Sequence, residues 1–447
     1  MIKKTLLIII LLTNIGLQAA TLKSGPMLGY STMREVSVWV QTDGQAQLQL
    51  RYWQTQSPEK IYLSDAQQTV DANAFTTHLI ADELEPGQIY NYEVLLNGHA
   101  VKRDYPLRFQ TQALWQWRQD PADFSFALGS CNFVNESAYD RPGRPYGSDE
   151  HIFSEILKQS PDFMLWMGDN TYLRETDWNS KTGIYHRYSH TRALPELQPL
   201  LGSVHHYANW DDHDYGPDNA DRSFWNKHIT RQAFKDFWAN ANYGADGQGI
   251  HSTFHWNDVQ FFLLDNRWFR SNNDRTTGQR QIFGEQQIQW LIDSLKFSKA
   301  TFKFVVTGGA FLFNGRGHES AINIAPEERE RIIRLLGQEQ IPGIVFLSGD
   351  VHHSRFIELK RNDAYPLYEW AVSSLTAGPY KPSDSESSNI VPGSIYADHN
   401  FGIIEVSGPR KDRQLLLKVI DDEGKMQWSH IIKATQLCRP AACDQGH

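Results

Sequence analysis

Cysteine is scarce here: the 447 residues contain only Cys131, Cys438 and Cys443, too few for a disulfide framework. Positive charge is in deficit, with 43 Lys and Arg against 52 Asp and Glu and a formal charge of −9. That balance excludes a whole-surface partnership with nucleic acid or anionic membrane, so no stable nucleic-acid partner is expected. Beyond the first twenty residues, no segment is long and apolar enough to span a bilayer. Internal repeats and low-complexity stretches are also missing. What remains, 40% hydrophobic and 21% charged, is an ordinary globular composition. At ~150 residues per domain, the length calls for a large domain and a smaller companion.

The first twenty residues read as an address. Lys3 and Lys4 start it, Leu6 to Leu12 form an apolar stretch, and Gln18-Ala19-Ala20 supply a small-residue end. This is the layout of a secretory signal over residues 1–20, cut near Ala19 or Ala20. No twin arginine precedes it, and no cysteine at its end takes a lipid. The expected location is periplasmic or secreted, with no membrane span once the signal is removed. In an oxidising compartment Cys438 and Cys443 can bridge within a C-terminal tail, residues 435–447. Cys131 is then left over, either as a small buried hydrophobe or with a chemical task.

Residues 22–112 read as an all-β domain. Glu35 to Gln41 and Ala46 to Trp53 alternate apolar and polar about Asp43-Gly44, a hairpin-type turn. Ile89 to Leu96 follows Pro86-Gly87, and Leu107 to Thr111 closes the module. Short strands with such punctuation predict a small sandwich of the immunoglobulin or fibronectin kind. Residues 113–122 read as a linker. From 123 to 434 strands alternate with helices. Apolar strands are expected at Phe124–Leu128, Asp162–Met167, Ser203–Trp210, Val259–Leu264, Phe302–Val306 and Ile344–Leu347. Helices are expected at Asp149–Gln159, His228–Ala239, Gly284–Lys296 and Pro326–Leu336. This alternation predicts an α/β layered domain.

Four of the strands end in polar clusters: Gly129-Ser130-Cys131, Gly168-Asp169-Asn170-Thr171-Tyr172, Trp210-Asp211-Asp212-His213-Asp214 and Gly349-Asp350-Val351-His352. Alone, each has an ordinary explanation: a turn-forming Asp, a solvated acidic face, a satisfied polar histidine. Ligands of open α/β sheets bind beyond the carboxyl ends of strands, so four clusters rich in metal ligands point to one metal-binding crevice. Thiolate, phenolate and imidazole donors favour a transition metal such as Fe(III); carboxylates suit Ca²⁺, Mg²⁺ or Mn²⁺.

These GSC, GDNTY, WDDHD and SGDVHHS segments resemble the alkaline phosphatase D (PhoD-like) family of calcineurin-type metallophosphoesterases. The likeness runs from about Lys23 through the α/β domain and includes the β-rich module. It implies a double-sheet α/β sandwich, a dinuclear centre, and hydrolysis of phosphate monoesters or diesters by activated water. It assigns Cys131, Asp169, Tyr172 and His352 to one metal, and Asp169 again, as bridge, with Asp212 and Asp350 to the other. His213 is implied to serve the substrate, stabilising phosphoryl oxygens or protonating the leaving group. Ser130 lacks the flanking glycines of a nucleophile elbow.

Two departures stand out. Many calcineurin-type enzymes carry a histidine ligand after the strand represented by Phe302 to Val306, where this chain has Thr307-Gly308-Gly309. The loop from Asn132 to Gly147 looks like an elaboration, and its Arg141 and Arg144, with Arg174 and Arg187, are candidate grips for a substrate phosphate. His205 and His206 are expected to belong to their strand. The leaving group stays open: the substrate is a small-molecule or polymer phosphate ester, with a nucleotide, lipid head-group or wall-polymer diester as the alternative. From another class, an inactive polymer-binding module is opposed by the intact ligand set.

Overall fold

The computed structural model describes residues 20–438, apart from 245–246, 316–318, 363 and 383–387. The expected signal segment lies outside these residues, except for its final Ala20. Two large sheets stack face to face. One has nine strands, in the order Met426–Lys433, Gln414–Asp421, Asn400–Ser407, Phe124–Gly129, Phe163–Met167, His205–Asn209, Leu22–Ser31, Val36–Thr42 and Thr76–Ala81. The other has six: Ser252–Trp256, Val259–Leu263, Phe302–Thr307, Ile344–Ser348, Ala364–Ala371 and Arg355–Arg361. The core between them is largely aromatic. Phe126 stacks on Phe163 at 4.8 Å between ring centroids and meets Phe261 and Phe304 edge-on at 5.2 and 5.5 Å.

Helices close both outer faces. Ile152–Lys158 and Lys227–Phe237 bury Ile156, Phe234 and Phe237 with Trp166 and Trp210 on the nine-stranded sheet. Gly284–Phe297 and Pro326–Gln338 bury Ile288, Leu291 and Ile332 with Phe262 and Phe346 on the other. This is the expected double-sheet α/β sandwich, and a short β-rich region precedes it.

The N-terminal residues also form a sandwich. Its core joins Val38, Val40 and Leu79 to Leu50, Tyr52, Tyr92 and Phe109. One leaf is continuous with the nine-stranded sheet, because Leu22–Ser31 runs parallel to His205–Asn209 with Leu28 opposite His205. Residue Leu437, in the expected tail, is buried in the inter-sheet core. Cys438 is disulfide-bonded; its expected partner, Cys443, lies outside the described residues. No helix among the described residues is long and apolar enough to cross a membrane.

What positions the site is strand register. Phe124–Gly129, Phe163–Met167 and His205–Asn209 are mutually parallel, with Gly129 opposite Trp166 and Met167 opposite Asn209. On the facing sheet, Phe302–Thr307 and Ile344–Ser348 are parallel, with Thr307 opposite Ser348. All these strands therefore deliver their following residues to one edge of the sandwich.

Candidate metal centre

Four candidate ligands sit in left-handed backbone conformation as their strands end: Cys131 at φ 60°, Asp169 at 51°, Asp350 at 71° and His352 at 56°. Non-glycine residues seldom adopt this region, and such strain concentrates where a chain must aim a functional side chain. The turns pack tightly. A Cβ at Gly168 (φ 99°) would lie 2.8 Å from Asp211 Cβ, and one at Gly308 2.5 Å from Asp211 Cγ. Only glycine lets these strand ends approach so closely.

Asp169 stands in the middle. Its Oδ2 lies 3.9 Å from Cys131 Sγ and accepts from the Tyr172 hydroxyl at 3.4 Å, while its Oδ1 accepts the His213 backbone N–H at 3.2 Å. Tyr172 reaches on to His352 Nε2 at 3.4 Å. His352 Nδ1 lies 2.7 Å from the Gly378 carbonyl, which can only accept, so Nδ1 carries the proton and a neutral ring leaves Nε2 as a lone pair. Cys131 and Tyr172 are buried. Burial above all, then the charge of Asp350, pushes the Cys131 thiol up to about 12.

Two overlapping groups have ligand atoms mutually within 4.8 Å: Asp169, Asp212 and His213; and Asp211, Asp212 and Asp350. Burial first, then like charges across the cluster, raises the Asp169 and Asp350 carboxyls well above their ordinary values. Asp212 goes the other way. Burial is the largest influence and raises it, but the Arg267 guanidinium followed by His213 brings it below the carboxylate range. Asp212 Oδ2 accepts the Asn219 N–H at 2.6 Å; its buried Oδ1 and the Oδ2 of Asp211 make no hydrogen bond. Several carboxylates crowded in one buried cluster beside the single guanidinium of Arg267 call for further cations, so the donor set fits bound metals.

The structure adds residues that the sequence did not single out. Arg267 is fully buried, hydrogen-bonded through Nε to Asp211, 3.6 Å from Asp212 and 3.0 Å from Glu319. Asn266 also donates to Asp211, at 2.8 Å. A signal for these two existed: Asp265-Asn266-Arg267 follows the buried strand Val259–Leu263 as a fifth polar strand end. Where a histidine was missed after Phe302–Thr307, Gly308 makes room for the Asp211 side chain. Ser373, whose Oγ accepts the His352 N–H at 2.7 Å and lies 3.6 Å from Cys131 Sγ, and Glu319 carried no sequence signal.

His213 is the second residue of the short helix Asp212–Tyr215, with a side chain 24% exposed, and its ring centroid lies 4.2 Å from that of Tyr172. The arginine expectations divide. Arg174 is correctly placed near the site but turned inward: it pairs with Asp140 at 2.8 Å, donates to the Val134 and Tyr172 carbonyls, and covers the Phe133 ring. Arg187 is wholly buried between Glu136 and Asp177, each at 2.8 Å. Neither guanidinium is turned toward the cluster: Arg174 braces the 132–147 loop through Asp140, and Arg187 through Glu136. Arg141 and Arg144 are exposed on that loop. His205 and His206 lie within their strand as expected.

Residues 130–401 match the family model described as PhoD-like phosphatase, and residues 19–114 match a domain of unknown function (DUF7800). Alkaline phosphatase D of Bacillus subtilis (strain 168) is 22% identical; the alignment covers 63% of this chain and 54% of that protein, so the match spans about half of the curated relative. A solved structure of PhoD superimposes with a TM-score of 0.73 at 16% identity, covering 91% of this chain and 88% of that one. Purple acid phosphatase PPD1 from yellow lupin (Lupinus luteus) seeds gives 0.69 at 12% identity, covering 91% and 74%.

Proposed function

The chain belongs to the PhoD-like phosphatase family, and from that membership we propose that it is an exported, metal-dependent phosphoric ester hydrolase acting on monoesters, diesters or both. The observation that carries the reading is the convergence of Asp169, Asp212 and Asp350 with a thiol, a phenol and an imidazole at one edge of the sandwich. In this reading Cys131, Asp169, Tyr172 and His352 would hold a transition metal such as Fe(III). Asp169, Asp212 and Asp350 would hold a hard divalent cation, Ca²⁺, Mg²⁺ or Mn²⁺, with Asp169 common to both sets. The bound cations supply Lewis-acid chemistry, neutralising phosphoryl charge and acidifying water.

The protein's own groups do the rest. His213, at the open rim with its Nε2 3.8 Å from Asp218, offers that nitrogen to a phosphoryl or leaving-group oxygen. Arg267 keeps Asp211 and Asp212 in place without reaching solvent. Ser130 is no nucleophile, being fully buried with its hydroxyl donated to the Val372 carbonyl at 3.1 Å. Export is supported by the basic and apolar N-terminus and by the disulfide at Cys438.

The test is elemental analysis together with turnover of 4-nitrophenyl phosphate and bis(4-nitrophenyl) phosphate on one preparation. Two metals per chain and hydrolysis of at least one ester are expected. Turnover by metal-free protein, or turnover of neither ester, would overturn the reading.

A further inference from the structure

The 132–147 loop drew attention for its arginines, but the residue it brings to the metal centre is Tyr146. Asn135 ties the loop's end in place: its amide donates to the Gly147 carbonyl at 2.8 Å and accepts the Gly147 N–H at 3.0 Å. Gly147 bridges antiparallel to Ala377, and the Ser148 N–H donates to the Thr376 carbonyl at 2.7 Å. The Tyr146 ring is then walled in. Phe133 meets it edge-on at 4.9 Å, Tyr172 and His352 lie at 6.4 and 6.1 Å, and a Cβ at Gly378 would be 3.3 Å from its Cε2. Yet the residue is 47% exposed. An aromatic ring fixed on several sides and open on the rest, at the rim of a carboxylate cluster, is a preformed contact surface.

Its hydroxyl does not explain the placement. The OH lies 3.3 Å from His352 Nδ1, but the Gly378 carbonyl already takes that proton at 2.7 Å. The rings of Tyr146 and His213 both neighbour that of the buried Tyr172, with centroids 6.4 and 4.2 Å from it. We propose that Tyr146 is a specificity-determining residue whose ring receives the leaving-group side of the ester and selects flat, aromatic leaving groups. This rests on the phosphoesterase reading above. Ring-on-ring contact is worth ~0.5–1.5 kcal/mol beyond area burial, a preference of roughly two- to tenfold.

Benzyl phosphate and cyclohexylmethyl phosphate test it, because both carry the same CH₂–O–P linkage and differ in the ring alone. The quantity measured is the ratio of their kcat/KM values, in wild type, Tyr146→Phe and Tyr146→Ala, with metal content on each preparation. Wild type and Tyr146→Phe are expected to favour the benzyl ester, and Tyr146→Ala to lose that preference with its metals retained. A ratio unchanged in Tyr146→Ala overturns the inference alone. So does a ratio lost equally in Tyr146→Phe, which would transfer the role to the hydroxyl, or metal loss in Tyr146→Ala. If wild type turns over neither ester, the phosphoesterase reading falls first and takes this inference with it.

Discussion

The Tyr172 hydroxyl and His352 Nε2 lie 3.4 Å apart although 180 residues separate them in the chain. The contact exists because parallel strands of two different sheets end at the same edge, and because Gly378 fixes the imidazole tautomer that leaves Nε2 free. A phenolate bound to a ferric ion absorbs visible light, so the purified protein is expected to be coloured. Tyr172→Phe should bleach or shift that band. An absorption spectrum paired with elemental analysis checks this, and an unchanged band in the variant would remove Tyr172 from the ligand set.

Asp169 lies against Cys131 and Tyr172 and also groups with Asp212 and His213, whereas Asp350 groups with Asp211 and Asp212. Asp169→Ala is therefore expected to abolish activity and deplete both metals, whereas Asp350→Ala chiefly empties the hard-cation position. Metal-to-protein ratios after gel filtration decide it. Full retention of both metals by the Asp169 variant would contradict a shared carboxylate.

His213→Ala is expected to keep its metals and lose ~10²–10⁴-fold in kcat, the usual cost of removing a general acid. Leaving-group dependence separates the two possible roles. A nitrophenolate hardly needs a proton and an alkyl alkoxide does, so a larger defect on alkyl esters marks proton donation, and equal defects mark charge stabilisation. Metal loss in step with activity would make His213 a ligand instead.

Arg267 is surrounded by Asp211, Asp212 and Glu319 without contact with solvent. Arg267→Met should destabilise by roughly 3–5 kcal/mol, because it strands buried carboxylates rather than merely deleting a pair. The double variant Arg267→Met/Asp211→Leu should recover part of that loss. Urea unfolding of the four proteins of this cycle measures it, and strict additivity of the two single variants would refute the coupling.

Lys303 lies far from the metal centre, buried with its ammonium on the Ala300 and Pro342 carbonyls at 2.8 and 3.2 Å. Burial lowers it from 10.5 to about 8. Below pH 8 the buried group must be charged in the folded protein, whereas between about 8 and 10.5 only the unfolded chain holds the proton. Its contribution to stability therefore rises with pH across that window, by on the order of 3 kcal/mol. Lys303→Met should be the more stable protein near pH 7, with the advantage shrinking toward pH 10.5. A pH series of chemical unfolding curves tests it; a constant difference would show that Lys303 does not titrate as argued.

Much of this was legible without coordinates. Continuous apolar runs located the strands Phe124–Gly129, Phe163–Met167 and Ile344–Ser348, because strands buried on both faces are mostly apolar; His205–Asn209 is buried as well but carries two histidines and an asparagine. The strand Leu22–Ser31 and the C-terminal hairpins from Asn400 to Lys433 were not found: Lys23, Ser24 and Pro26 break the first pattern, and the hairpins join the sheet through the pairing of Asn400–Ser407 with Phe124–Gly129, which is distant in sequence.

The site divides the same way. Sequence determined the donor inventory, since a thiol, a phenol, imidazoles and carboxylates placed at successive strand ends are written in local order. Only the tertiary structure decided which charges meet. The same residue type, arginine, became an internal brace at Arg174 and Arg187, a buried counter-ion at Arg267 and a surface group at Arg141, because burial and neighbours set what a guanidinium does. Tyr146 likewise owes its place over the centre to hydrogen bonds from Asn135 and a bridge to Ala377, contacts between segments that no local pattern relates.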